Sequence, residues 1–254
     1  MARLGLVAPE GLIAHGRGET FDYLLGERTS PSARAAEHRA ADWLRSARHP
    51  VLSVNGNVAA LAASEVARVV RACPGLSVEV NLFHRTPARA RAVAVALRAA
   101  GVPHVLGVRP TARIPGLPSD RARVDRRGIL MADVCVVPLE DGDRTEALRV
   151  LGKKVVSIDL NPLSRTNRHA DLPIVDELRR ALSHIAEDLE RAGTPERTGR
   201  FAKFDRRKAL ADALGQIGQN LRRAAAARPR SAGRPARAST RPVRGTDGRS
   251  RRTP

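Results

Sequence analysis

Aromatic side chains are scarce in this sequence of 254 residues: they make up 2% of it, with one Trp, one Tyr and four Phe. A core without large rings must be built from Ala, Val and Leu, so close packing of helix on sheet has to replace bulky anchors. Aromatic platforms for stacking bases are also excluded. Only two cysteines occur, Cys73 and Cys135, and they form no CxxC pair. No disulfide framework is expected, and a reducing compartment is. No apolar run approaches the roughly 20 residues of a membrane span, and nothing at the N-terminus reads as a signal peptide, so a cytoplasmic protein is expected. There is no GxxxxGK(S/T), no HExxH and no nucleophile elbow, which argues against a P-loop, a zincin and an α/β-hydrolase. The seven histidines share no metal-ligand spacing, and no structural zinc site is expected. HGRGETF carries Gly16 and Gly18 but has Phe21 where a dinucleotide fingerprint needs glycine.

Acidic residues are also in deficit, 26 against 45 Lys and Arg, for a net charge of +19. The segment Arg228–Pro254 holds nine Arg and one Asp, or +8, leaving +11 on the first 227 residues. Rich in Arg, Pro, Gly and Ser, residues 228–254 cannot bury enough apolar surface to offset ordering entropy and are expected to be a disordered basic tail. The other arginines are dispersed through helices and loops as a solvated surface. Nucleic acid is therefore expected only as a nonspecific partner of the tail, and a membrane not at all. An Arg-rich nucleic-acid-binding protein remains an alternative reading.

Hydrophobic residues, at 42%, are ample for a core. From residue 50 onward strand-like and helix-like segments alternate. Strands are expected at Val51–Asn57, Leu76–Phe83, His104–Val108, Ala132–Leu139 and Lys154–Leu160. Helices are expected at Val58–Cys73, after Thr86 with Pro87 at the first helical position and Gly101 as terminator, and over DRTEALRVLG. Ile174, Leu178, Leu182, Ile185 and Leu189 recur at helical spacing, as do Leu210, Leu214, Ile217 and Leu221. The pattern predicts an α/β protein: a Rossmann-like, doubly wound, mostly parallel sheet with helices on both faces. Residues 1–204 form the expected catalytic domain, and 205–227 a C-terminal helix on that domain or on a partner subunit. The Pro/Gly-rich excursion RPTARIPGLPSDRARVD is too long for a plain connector and is expected to be functional or mobile.

Candidate residues cluster after strands, where open α/β sheets bind ligands. Arg17, between two glycines, reads either as a guanidinium that a close-approaching backbone brings to a phosphate, or as part of a tight turn with a surface salt bridge. Asn55-Gly56-Asn57 reads as a helix start that binds an anion, or as an Asx-type turn and cap. Asn81, His84 and Arg85 end the next strand. Glu140, Asp141 and Asp143 could hold Mg²⁺ or simply begin a helix with Asp143 as cap, leaving Arg144 the better substrate contact. Asp159, Asn161, Ser164, Arg165 and Thr166 form a polar loop whose carboxylate and amide groups suit ribose hydroxyls or an adenine edge, and whose Arg165 suits phosphate.

Three segments, GLIAHGRGETFDYLLGE at Gly11–Glu27, SVNGNVAAL at Ser53–Leu61 and Leu139–Thr166, resemble the archaeal-type 4-phosphopantoate–β-alanine ligase (phosphopantothenate synthetase) family. The likeness runs from about Leu6 to Leu221. It implies an ATP-dependent, AMP-forming ligase of coenzyme A biosynthesis that makes 4'-phosphopantothenate through an acyl adenylate, with Mg²⁺ accompanying ATP and a homodimeric assembly. It places Arg17, Asp159, Leu160, Asn161, Arg165, Thr166, Glu177 and Leu178 around ATP, although the family commonly has Asn where this chain has Glu177. Asn57, Asn81, Arg85 and Arg144 are the candidates for 4-phosphopantoate, and no general base for the amine is assigned. Another nucleotide-dependent enzyme on the same fold is the remaining alternative. Family members also carry a nucleotide-contacting arginine ahead of the first segment. Only MARLGLVAPE precedes Gly11 here, with Arg3 the sole basic candidate, so either an upstream start or a weakened ATP contact is expected.

Overall fold

The computed structural model describes residues 5–191 and 201–227. Helices α1 (Pro9–Leu25) and α2 (Pro31–Ser46) come first, each with proline in its first turn, where a missing N–H costs nothing. Alternation then begins: β1 (Pro50–Val54), α3 (Gly56–Ala72), β2 (Ser77–Val80), α4 (Pro87–Ala99) and β3 (Val105–Leu106). A small antiparallel pair, β4 (Ala112–Arg113) and β5 (Arg123–Val124), interrupts the series. It resumes with β6 (Val134–Pro138), α5 (Gly142–Val150), β7 (Lys154–Ile158), α6 (Arg165–His169), β8 (Leu172–Ile174), α7 (Leu178–Glu190) and α8 (Arg206–Ala226).

The six-stranded sheet has the order β3-β2-β1-β6-β7-β8, with every pairing parallel. This is the doubly wound order, and its direction reverses between β1 and β6, where Val51 pairs with Cys135. Alternate strand residues feed opposite faces. Leu52, Val54, Val136, Val156 and Ile158 meet the apolar sides of α2, α3, α4 and α7, while Val51, Cys135, Val137 and Val155 meet Ile114, Val124, Ile129 and Leu148. Burial pushes the Cys135 thiol up to about 12, so it is an inert part of the core. No helix among the described residues is long and apolar enough to cross a membrane.

Several local expectations change. Gly16 and Gly18 lie in the middle of α1, not on a tight turn. Arg165 and Thr166 open a short helix capped by Ser164, not a loop. Ile174 ends strand β8, and the helix begins only at Leu178. The excursion after β3 carries its own strand pair. Glu79 of β2 fixes its return, accepting from the N–H of Asp125 (2.9 Å) and of Ile129 (2.7 Å). Burial raises the Glu79 carboxyl to about 7, against the pull of those two N–H groups. Helix α8 sits on its own domain, with Ala213 packed beside Leu25, Leu160 and Val175. The expected tail at 228–254, and Arg3, lie outside the described residues.

Candidate active site

The strands on either side of the reversal end in a crevice of two adjoining cavities. The first, of about 160 Å³, is lined by His15 and Arg17 of α1, Asn57, Leu139 and Glu140 after β6, and the Asp159–Asn161 turn with Ser164. The second, of about 420 Å³, is lined by Glu10, Arg17, Asn55, Asn57, Phe83, His84, Arg89 and Arg121. Arg17, Asn57, Leu139 and Ala14 border both.

Asn55 builds the floor. Its side-chain oxygen caps α3 by accepting from the N–H groups of Asn57 (3.0 Å) and Val58 (3.1 Å), so the cap, not a ligand, takes these donors. Its amide nitrogen donates to the carbonyls of Pro138 and Leu139, joining the end of β1 to that of β6. A side chain at Gly56 would overlap the Leu6 carbonyl, so only glycine lets the chain pass there. Asn57 Nδ2 donates to the Gly11 carbonyl at 3.0 Å and thereby ties α1 to the crevice. On the far wall Asp159 accepts from the Asn161 N–H (2.9 Å), and Asn167 Nδ2 donates to the carbonyls of Asp159 and Asn161. Burial raises the Asp159 carboxyl, opposed by the Asn161 N–H, the Ser164 hydroxyl and the Arg17 charge.

Behind the cavities lies a buried charge cluster. Arg144 is fully buried and donates to Ser53 Oγ (3.0 Å) and to Glu140. Arg121 pairs with Glu140 and, at 3.0 Å, with Asp141, and its guanidinium lies over the Phe83 ring at 5.8 Å. Burial alone would push the Glu140 carboxyl up, but the Arg121 and Arg144 charges hold it below its ordinary value. Asp141, not Asp143, caps α5. Asp143 pairs with Arg165 at 2.5 Å. Each of the three acids read as either Mg²⁺ ligands or a helix start is thus engaged by an arginine.

Of the residues expected around a nucleotide, Arg17, Asp159, Leu160 and Asn161 come together in the first cavity with Asn57. Four others do not line it. Arg165 points to Asp143, Thr166 is buried with its hydroxyl on the Glu140 carbonyl (2.6 Å), Glu177 caps α7 and Leu178 is core. Three expected acid-substrate contacts are likewise occupied elsewhere. Asn81 donates to the carbonyls of Arg121 and Arg123, Arg85 donates to those of Gly107 (2.5 Å) and Val108 (3.0 Å), and Arg144 is sealed in the cluster. Arg89 and Arg121 line the second cavity and were not expected there. The excursion's unusual length was the one signal for Arg121, which it delivers to the crevice.

Among the described residues one group is spaced to share an ion: Glu37, Asp176 and His184. His184 Nδ1 lies 2.8 Å from Glu37 Oε2, while Arg34 and Arg180 flank the carboxylates. Burial, then the charge of Asp176, raise the Glu37 carboxyl to about 10. A proton shared between the two carboxyl groups fits these surroundings better than a metal ion beside two guanidiniums.

Topology and crevice together define a doubly wound α/β protein with a two-part, arginine-lined crevice at its switch point. The chain belongs to the phosphopantothenate/pantothenate synthetase family, whose model matches residues 32–220. It is 48% identical over 226 residues to a 4-phosphopantoate–β-alanine ligase of Thermococcus kodakarensis, covering 87% of this chain and 86% of that one. The enzyme of the same name from Methanospirillum hungatei is 49% identical over 219 residues, covering 86% and 89%.

Proposed function

We propose that this crevice joins 4-phosphopantoate to β-alanine with ATP, forming 4'-phosphopantothenate, AMP and pyrophosphate on the route to coenzyme A. The observation that carries the reading is the shared border: Arg17 and Asn57 line both cavities, so two ligands bound there meet beside one guanidinium. A carboxylate at neutral pH is a poor electrophile. Its oxygen attacks the α-phosphorus of ATP and pyrophosphate leaves; the amine of β-alanine then attacks the acyl carbon and AMP leaves. The chain's part is to place the reactants and offset phosphate charge, which needs fixed cations and no covalent nucleophile.

ATP is assigned to the first cavity, with Arg17 on the phosphates and the Asp159–Asn161 turn at the ribose and base. Mg²⁺ enters with the phosphates, since Glu140, Asp141 and Asp143 are already committed to arginines. The acid occupies the second cavity, with Asn57, Arg89 and Arg121 toward its phosphate or carboxylate. A homodimer is supported by the apolar residues α1 and α8 leave exposed, Leu12, Ile13, Tyr23, Leu214 and Leu221. The assay supplies ATP, 4-phosphopantoate and β-alanine: AMP is the expected product, and ADP would refute the adenylate route. Asp159→Asn is expected to weaken ATP binding in calorimetry while leaving the fold intact; unchanged affinity would remove Asp159 from the site.

A further inference from the structure

Helix α1 presents Arg17 to both cavities, yet Leu25 is its only buried residue. Within one chain, apart from Phe21 beside Leu25, apolar burial therefore contributes little to fixing its orientation, and polar ties add to it. Asn57 and Asn220 each hold one main-chain carbonyl, of Gly11 and Leu24, by a single neutral hydrogen bond. Arg180 of α7 makes the stronger tie. Its Nη1 and Nη2 donate to the two carboxylate oxygens of Asp22 on α1, at 3.0 and 2.5 Å. Its Nε and Nη2 also donate to Asp176 Oδ1, at 3.1 and 2.9 Å. Asp176 is buried in the turn between β8 and α7, and accepts in addition from the Thr29 hydroxyl at 2.5 Å, in the link from α1 to α2. One planar guanidinium thus fastens the carboxyl-terminal half of α1 to α7 and to the turn between β8 and α7. A charge-assisted fork fixes angle as well as distance.

We propose that Arg180 is a positioning residue for the nucleotide half of the crevice: by gripping Asp22 and Asp176 together it sets the roll of α1, and so the aim of Arg17. This rests on the reading that Arg17 contacts ATP. Arg180 itself lines neither cavity, so its effect on ATP passes through α1.

The test uses the full chain carrying Arg180→Met, Asp22→Asn, both together, Arg180→Lys and, as reference, Arg17→Met. The readouts are KM for ATP, KM for β-alanine, kcat, ATP affinity by calorimetry and Tm. Arg180→Met is expected to raise KM for ATP about tenfold, the scale of one lost charge-assisted contact, with KM for β-alanine unchanged. Asp22→Asn should reproduce that rise, the double variant should add nothing to it, and lysine should recover part of it. A fall in Tm with unchanged KM for ATP in Arg180→Met and Asp22→Asn would overturn the proposal, as would fully additive effects. Should Arg180→Met fail to fold, Asp22→Asn with Arg180→Lys decides by the same readouts. If Arg17→Met leaves ATP affinity unchanged, the underlying assignment of Arg17 fails. If it abolishes ATP binding while Arg180→Met and Asp22→Asn do nothing, only the positioning role fails.

Discussion

Glu140 at the crevice and Glu37 between α2 and α7 are almost equally hidden from water, their side chains 1% and 0% exposed, yet they settle into opposite charge states. Burial opposes ionisation in both. At Glu140 two guanidiniums in direct contact overcome it, and the carboxyl stays ionised below its ordinary pKa. At Glu37 the strongest neighbour after burial is another carboxylate, Asp176, and Arg34 at 3.9 Å is too distant to compensate. Burial sets the penalty and the neighbours choose the outcome. The crevice therefore keeps permanent charges held by one another, whereas at the α2–α7 junction the Glu37 carboxyl becomes neutral by retaining a proton.

The harshest way to break this contrast is Arg144→Met, which leaves Glu140 buried with only one of its two arginines. Stability should fall by about 3–5 kcal/mol in urea unfolding. Because the Glu140 pKa is depressed in the folded protein, the stability it lends is present above the unfolded pKa and is lost as pH falls through the folded value. The variant should therefore lose part of the wild type's acid sensitivity.

Glu37→Gln tests the other side. The folded protein keeps a proton on Glu37 up to about pH 10, while the unfolded chain releases it near its ordinary 4.5. Folded chains thus bind more protons than unfolded ones between those values, and stability declines as pH rises through that window. Glutamine keeps the hydrogen-bonding donor without the ionisation, so at pH 8 the variant should be more stable by about 1–2 kcal/mol. Melting curves at pH 6 and pH 9 should lie closer together than in the wild type, and an unchanged gap would place the proton elsewhere. The mildest change is Arg165→Ala. Its pair with Asp143 is more than half exposed on both sides, and stability should move by less than about 0.5 kcal/mol. A larger loss in thermal unfolding would mean that the pair is more shielded than its exposure indicates.

Much of the sheet was legible because β-branched runs and local caps act within a few residues. Asn55 and Thr86 cap helices where the sequence places helix starts, and the strand ends bring Asn57 and Asp159 to one crevice. Helix α1 was not legible, since two mid-helix glycines and a largely exposed surface imitate a turn. Strand β8 was hidden by its length of three residues and by Pro173, which an edge strand tolerates. From the sequence Arg144 reads as a substrate contact in the first turn of a helix; only Glu140 and Ser53, set by tertiary packing, reveal it as interior. The placement of Arg121 depends on Glu79 and Asn81 gripping the backbone of the excursion, a long-range matter invisible to any local pattern.

The pairing of β1 with β6 has a consequence for how the molecule assembles. All other neighbouring strands in the sheet are consecutive along the chain, and each can associate across one short crossover. Val51 and Cys135, by contrast, are separated by an entire half of the fold, so their meeting carries the greatest loop-closure entropy of the sheet. The seam beneath the proposed ligand crevice is consequently the junction of the two halves of the sheet. Substitutions there should slow refolding more than equally destabilising ones within either half.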